Sequence, residues 1–227
     1  MKTRRHSLLE SVIGMSWVVW SLAQPTAPAA SEQDDAASAP EVRAAVQAGI
    51  DEALAVLRDT TLTSTLKKER VADVFAQRID FDTLSRLALG PHWDDLTDPQ
   101  RVEFVQEYRE HVLAISGQAT EHYKDEGVTL VELRREPRGD WTVQTHITRG
   151  NPNGPVQRVA RVDFRMRRKD GHWRLIDVSI EGIGMAAVFR AQFQAVLSDG
   201  GIDRVLKILR EKNAARRNAD RDSKSTP

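Results

Sequence analysis

From Glu41 onward, apolar residues recur at helical spacing: Val42, Val46, Ile50, Leu54 and Leu57 fall on one face. A second row carries Val71, Val74, Phe75 and Ile79. A short third helix, started by Asp80 or Asp82, carries Leu84, Leu87 and Ala88, and Gly90-Pro91 ends it. Thr97, Pro99 and Gln100 form a helix start, with Thr97 as cap, Pro99 in the first turn and Gln100 at the capping-box position. The helix that follows presents Phe104, Tyr108, Val112, Ile115, Ala119 and Tyr123 to the core, and at roughly 25 residues would be about 37 Å long.

After Gly127 the period changes to two. The alternating runs are Val128–Arg134, Trp141–Thr148, Val156–Arg167 and Trp173–Ile180. Turn signals separate them at Pro137–Asp140, Gly150–Pro155 and Lys169–Gly171. Such short connections imply an antiparallel meander. Parity groups Val156, Ala160, Val162, Phe164 and Met166 on one face, with Ile176, Val178, Ile180, Trp141, Val143 and Ile147. The other face carries Arg161, Asp163, Arg165 and Arg167, so one side is wet and the other covered. Two helices follow, the first with Met185, Phe189, Phe193 and Val196, the second, after Gly200-Gly201, with Ile202, Val205, Leu206 and Leu209. Helices, four strands, then helices predict an α+β domain whose antiparallel four-stranded sheet is covered on one face by helices.

The ends differ from this middle. Lys2, Arg4 and Arg5 precede an uncharged stretch from Val12 to Leu22, and Ser21 and Ala23 occupy the −3 and −1 positions of a small-residue cleavage site. Residues 1–23 therefore read as a signal peptide for export. Its apolar run is about half of the ~20 residues that a spanning helix needs. Residues 24–40, rich in Ala, Pro, Ser, Asp and Glu, read as a flexible leader, residues 41–213 as one domain, and residues 214–227 as a polar, disordered tail.

Charge and composition narrow the functions. The whole chain has 33 basic and 33 acidic residues; residues 1–23 hold three of the former and one of the latter, so the rest carries 30 against 32 and a net charge of −2. That argues against bulk electrostatic binding to nucleic acid. No cysteine is present, which removes disulfides, zinc–thiolate sites and a lipid-modified cysteine anchor.

The search for chemistry returns little. There is no phosphate loop, dinucleotide fingerprint or nucleophile elbow. The histidines His6, His92, His111, His122, His146 and His172 form no ligand pair; His111 and His122 would be about 16 Å apart along a helix. No cofactor is implied. Asp177 and Glu181, with Ser179 between them, alternate along the last strand; they read either as an acid–base pair or as a solvated face turned away from the slot. The row Arg161, Arg165, Arg167 and Arg168 reads either as an anion-attracting patch or as the wet side of a sheet.

Several stretches resemble one family. They are Ala88-Leu-Gly-Pro-His-Trp93, Pro99-Gln-Arg-Val-Glu-Phe104 with Tyr108-Arg109, Gly171-His-Trp-Arg-Leu-Ile-Asp177-Val-Ser-Ile-Glu181-Gly182-Ile183, Phe189-Arg190-Ala-Gln-Phe193, and Gly201-Ile202 through Leu206, Leu209, Arg210 and Lys212. In this order they are similar to the MlaC/toluene-tolerance family of periplasmic phospholipid-binding proteins, over roughly Val42 to Asn213. The chain departs from the family pattern at Gly184, where a serine is common, and at Phe189, where a tyrosine is common.

The resemblance implies a soluble, monomeric carrier rather than an enzyme. Such a carrier shuttles phospholipid between an outer-membrane lipoprotein–porin complex and an inner-membrane ABC transporter, and so maintains outer-membrane asymmetry. It also implies a cone of the NTF2-like type with extra helices enclosing an apolar acyl-chain slot, expected here to be lined by Tyr108, Val112, Val143, Ile147, Val162, Phe164, Ile176, Val178, Phe189 and Phe193. Docking residues are expected among Arg161, Arg165, Arg167, Arg109 and Arg190. Two alternatives stay open: a hopanoid-associated lipid-binding protein of the same family, and an NTF2-like enzyme, of the ketosteroid-isomerase kind, using Asp177 and Glu181.

Overall fold

The computed structural model describes residues 30–151 and 154–225. The expected signal peptide and the first part of the leader lie outside the described residues. In chain order the elements are α1 (Ala30–Arg58), α2 (Ser64–Ala76), α3 (Phe81–Leu89), α4 (Asp98–Gln118), β1 (Gly127–Arg135), β2 (Trp141–Asn151), β3 (Gly154–Lys169), β4 (His172–Ile180), β5 (Ile183–Gly184) and α5 (Met185–Ser225).

The sheet is an antiparallel meander in the order β1-β2-β3-β4-β5. It has one strand more than the sequence pattern suggests, because two residues after Glu181-Gly182 turn back and pair Ile183 with Ile180. A two-residue strand leaves no period to detect. The β3–β4 hairpin turns through Asp170-Gly171, both at positive φ (51° and 77°), as a tight two-residue turn requires. Opposite Arg165 and Met166 the pairing skips Ile176, a bulge that brings Leu175, rather than Ile176, into register with Met166. Leu175 and Ile176 are both buried as a result.

Helix boundaries follow local chemistry. Thr63 caps α2, its Oγ1 accepting from the Leu66 amide at 3.3 Å. Asp80 caps α3, accepting from Thr83 N at 3.2 Å and Thr83 Oγ1 at 2.7 Å. The chain between α2 and α3 also joins the sheet: Leu175 N donates to Arg78 O and Asp80 N to Leu175 O, each at 2.9 Å. Gln100 reaches back to the Thr97 amide at 3.0 Å and so opens α4. The helix ends at Gln118, sooner than expected, and a 3-10 turn covers Ala119–His122.

Both expected flexible ends are helical where described. α1 begins at Ala30, and Pro40 lies within it. α5 continues to Ser225 past a kink at Gly200-Gly201. Its last turns dock on α4: Asn213 Nδ2 donates to Glu107 O at 2.9 Å and to its carboxylate at 2.8 Å, Arg216 Nη1 donates to His111 O at 3.3 Å, and Arg217 pairs with Glu110. Arg216 and Arg217, within the expected tail, thus meet polar partners on α4.

Two apolar clusters hold the domain. One packs α3, α4 and α5 around Leu89, Trp93, Phe104, Tyr108, Phe189, Phe193 and Leu209. The rings of Phe104, Tyr108, Phe189 and Phe193 stand 5.2–5.9 Å apart in edge-on and stacked pairs. The other lays Val42, Val46 and Ile50 of α1 on Trp141, Val143, Met166 and Leu175 of the sheet.

Candidate functional site

Between the two clusters the interior is not filled. A cavity of about 690 Å³ is bounded by α1, α2, α4, the start of α5 and the inner face of β1–β4. Its size falls within the ~300–1,000 Å³ usual for ligand sites. The reason it stays open is legible on α1, where Ala45, Gly49 and Ala53 occupy one row four residues apart and turn toward it. Bulkier neighbours in that row would fill the space. Gly49 is also the seat of Arg78, whose side chain would meet a Cβ there at 2.9 Å. Arg78 donates to Val74 O at 2.9 Å and pairs with Glu52, tying α2 to α1 beside the cavity.

Of the residues expected to line a slot, Tyr108, Val112, Ile147, Val162, Phe164, Ile176, Val178 and Phe189 do so. Two do not. Val143 faces the same side of the sheet but is sealed beneath α1 with Trp141 and Met166. Phe193 is one turn too far along α5 and completes the aromatic stack with Phe104. The larger omission is the helical wall: Ala45, Gly49, Ala53 and Leu57 of α1, and Val71, Val74 and Phe75 of α2. On α1 the signal is the row of small residues Ala45, Gly49 and Ala53, which a search for bulky periodicity passes over; Leu57, Val71, Val74 and Phe75 stand in the periodic rows, where core and cavity wall look alike.

One end is polar and open. Thr120, His122, Tyr123, Glu126 and Arg149 gather where β1 begins and β2 ends, with Arg149 bonded to the buried Glu126, 3.0 Å through Nε. Four lining residues here, His122, Arg149, Val159 and Ile180, are exposed, which places the opening at this end of the strands. Val156, Val159, Ile180 and Ile183 are 66%, 48%, 49% and 63% exposed, so the strand ends around the opening are apolar as well.

Asp177 corrects the parity reading. It pairs with Arg165 on the outer side of the sheet, yet it is more than half buried and borders both the cavity and a small polar hollow outside. Burial raises its pKa above the ordinary carboxylate value, against the pull of the Ala186 and Val178 amides and of Arg165 and Arg190. Its Oδ1 accepts from Val178 N at 2.9 Å and Ala186 N at 3.0 Å, and so caps the start of α5. Glu181 is exposed, in the β4–β5 turn, and accepts the Arg161 amide at 2.8 Å, which holds its pKa below the usual value. The two carboxylates do not share a pocket.

The five arginines expected to dock partners all have tasks within the chain. Arg161 forks onto Asp163, at 2.7 and 3.1 Å. Arg165 and Arg167 converge on Asp140. Arg109 lies over the Phe81 ring, 5.0 Å from its centre. Arg190 is not an exposed helix end; it is half-buried and donates to Leu87 O at 2.9 Å.

A helix-walled antiparallel sheet around a mainly apolar cavity defines a binding protein for an apolar ligand. The model of the family described as MlaC protein matches residues 47–211, and the chain belongs to that family. It is similar to the toluene tolerance protein Ttg2D of Pseudomonas putida, 24% identical over 126 residues, a match spanning 55% of this chain and about half (56%) of that protein. In structure it is similar to a phospholipid-binding protein from Ralstonia solanacearum solved with a phospholipid bound, with a TM-score of 0.65 at 22% identity, covering 77% of this chain and 98% of the other. No helix among the described residues is long and apolar enough to cross a membrane.

Proposed function

We propose that this protein is a periplasmic phospholipid carrier that performs no chemistry of its own. The observation that carries the reading is the open, almost wholly apolar cavity in a chain of this family. The acyl chains occupy the space between α1, α2 and the sheet, and the head group stays at the polar end by His122, Tyr123 and Arg149. The exported chain moves lipid between an outer-membrane lipoprotein–porin complex and an inner-membrane ABC transporter, and so serves outer-membrane asymmetry.

The energetics suit that task. Each acyl methylene left in water costs about 0.8 kcal/mol, so two chains of about 15 methylenes sum to roughly 24 kcal/mol. A bilayer offers nearly the same burial, which leaves net extraction close to balanced. Direction then comes from docking partners or from ATP hydrolysed elsewhere, and the carrier needs no catalytic group. One feature favours the enzyme reading, the buried Asp177 with its raised pKa on the cavity wall. Its Oδ1, however, holds the amides that begin α5. Lipid-stripped protein mixed with vesicles containing a fluorescent phospholipid should withdraw the probe into a protein-bound pool in proportion to protein added. Probe that stays in the vesicles at every protein concentration would overturn the carrier reading.

A further inference from the structure

Glu126 stands at the mouth of the cavity, among the lining residues, yet it is only 7% exposed. Its Oε1 accepts from both Nε (3.0 Å) and Nη2 of Arg149, and its Oε2 accepts the Lys124 amide at 2.6 Å. Burial pushes its pKa up, but those bonds hold it below the ordinary value, so it carries its charge at neutral pH. Arg149 is placed differently. It lines the cavity too, but its side chain is 46% exposed, and its Nη1 has no partner among the described residues. The other arginine of the lining, Arg78, gives its two terminal nitrogens to Val74 O and Glu52. Around the mouth, Arg58 is committed to Tyr123 and Asp125, and Lys68 to Glu121. Among the described lining residues, Arg149 is thus the arginine with a terminal nitrogen to spare, and a buried carboxylate holds its other side.

We infer that Glu126 sets how firmly the lipid's phosphate is held: it competes with that phosphate for Arg149 and so keeps the grip weak enough for release. A guanidinium takes a phosphate oxygen through charge-assisted hydrogen bonds, which are among the stronger ones. A phosphate clamped by an uncompensated arginine leaves slowly, since tighter binding shows mainly as a slower off-rate. A carrier needs the reverse. With Glu126 forked onto Arg149 the pair presents no net charge, and an arriving phosphate gains chiefly what the spare edge of the guanidinium offers. This inference rests on the lipid-carrier reading and deepens it.

The test uses the purified full chain, stripped of lipid, and two ligands with the same acyl chains: dioleoyl phosphatidylethanolamine and dioleoylglycerol, which lacks the phosphate. Each competes with a fluorescent phospholipid, and the ratio of the two affinities reads the grip on the phosphate apart from the grip on the chains. Glu126→Gln should raise the preference for the phospholipid roughly three- to tenfold, less than a full charge-assisted hydrogen bond because the site is half-exposed. It should also slow delivery of that lipid to phosphatidylcholine vesicles by a similar factor. Glu126→Asp, which draws the carboxylate back by one methylene, should shift both readings the same way by less. The double variant Glu126→Gln/Arg149→Gln should bring the ratio below that of the wild type. If Glu126 only ties the start of β1 to the end of β2, its variants weaken both ligands together and leave the ratio unchanged, which overturns the inference. A ratio that falls in Glu126→Gln overturns it as well. So does an unchanged ratio with newly gained binding of inorganic phosphate, which would make the mouth a general anion site. Failure of both ligands to bind the wild type would overturn the carrier reading itself, a separate result.

Discussion

Arg167 holds both oxygens of Asp140, Nε donating to Oδ1 at 2.7 Å and Nη2 to Oδ2 at 2.8 Å, and Asp140 is 0% exposed. Arg165 adds a third bond at 2.8 Å. This places a fully buried carboxylate at the start of β2, with two arginines of β3 as its only charge balance among the described residues. Removing a partner from such a group is far more damaging than the net worth of the pair. Arg167→Gln should therefore cost about 3 kcal/mol of stability in urea denaturation. Reversing both charges should leave no folded protein. A stable double reversal that carries lipid normally but transfers it slowly would instead return Arg165 and Arg167 to the role of a docking surface.

Filling the cavity separates stability from binding. Ala53 of α1 lines the open space and needs nothing from its methyl group. Ala53→Phe should abolish most phospholipid binding while keeping the fold. Removing about 50 Å³ of void at ~24 cal/mol per Å³ predicts a gain of roughly 1 kcal/mol in the lipid-free protein. Lipid occupancy and a thermal melt on one sample decide the matter. Unchanged occupancy would mean that α1 is not the wall of the site.

His111 links stability to pH. Burial, then the Arg216 and Lys212 charges, depress its pKa from 6.5 to about 4. A histidine depressed on folding contributes stability that is complete above its unfolded value and is lost as the pH falls through the folded one. The unfolding free energy from urea denaturation should decline between about pH 6.5 and pH 4, by up to about 3 kcal/mol for this group. His111→Gln should flatten that part of the curve. The difference between the two curves isolates His111 from the carboxylates that titrate nearby, and parallel curves would refute its role.

Much of this architecture was written in the spacing of the residues. The period-two runs placed four strands and their order, because alternating burial and tight turns such as Asp170-Gly171 are local properties. Ile176 shows where locality ends. The skip in β3–β4 pairing, beside the bridge from Ile79 to Leu175, buries Leu175 as well as Ile176, while Asp177 keeps its outer register opposite Arg165 and still borders the cavity. The site was half legible. Phe164, Val178 and Phe189 announce themselves as apolar, but a pattern cannot tell a packed ring such as Phe193 from one beside a void. The α1 wall is encoded by what Ala45, Gly49 and Ala53 lack. The helix at Arg216 and Arg217 was not legible, because polar composition means disorder only where no partner waits, and their partners His111 and Glu110 lie far away in sequence.

The central claim is that the cavity holds phospholipid, and native mass spectrometry of the purified, undenatured chain tests it most directly. The account predicts a species heavier than the polypeptide by the mass of one phospholipid, lost on Ala53→Phe and matched by a phospholipid recovered in an organic extract of the same sample. Protein that is consistently bare, and that stays bare after incubation with phospholipid vesicles, would contradict it.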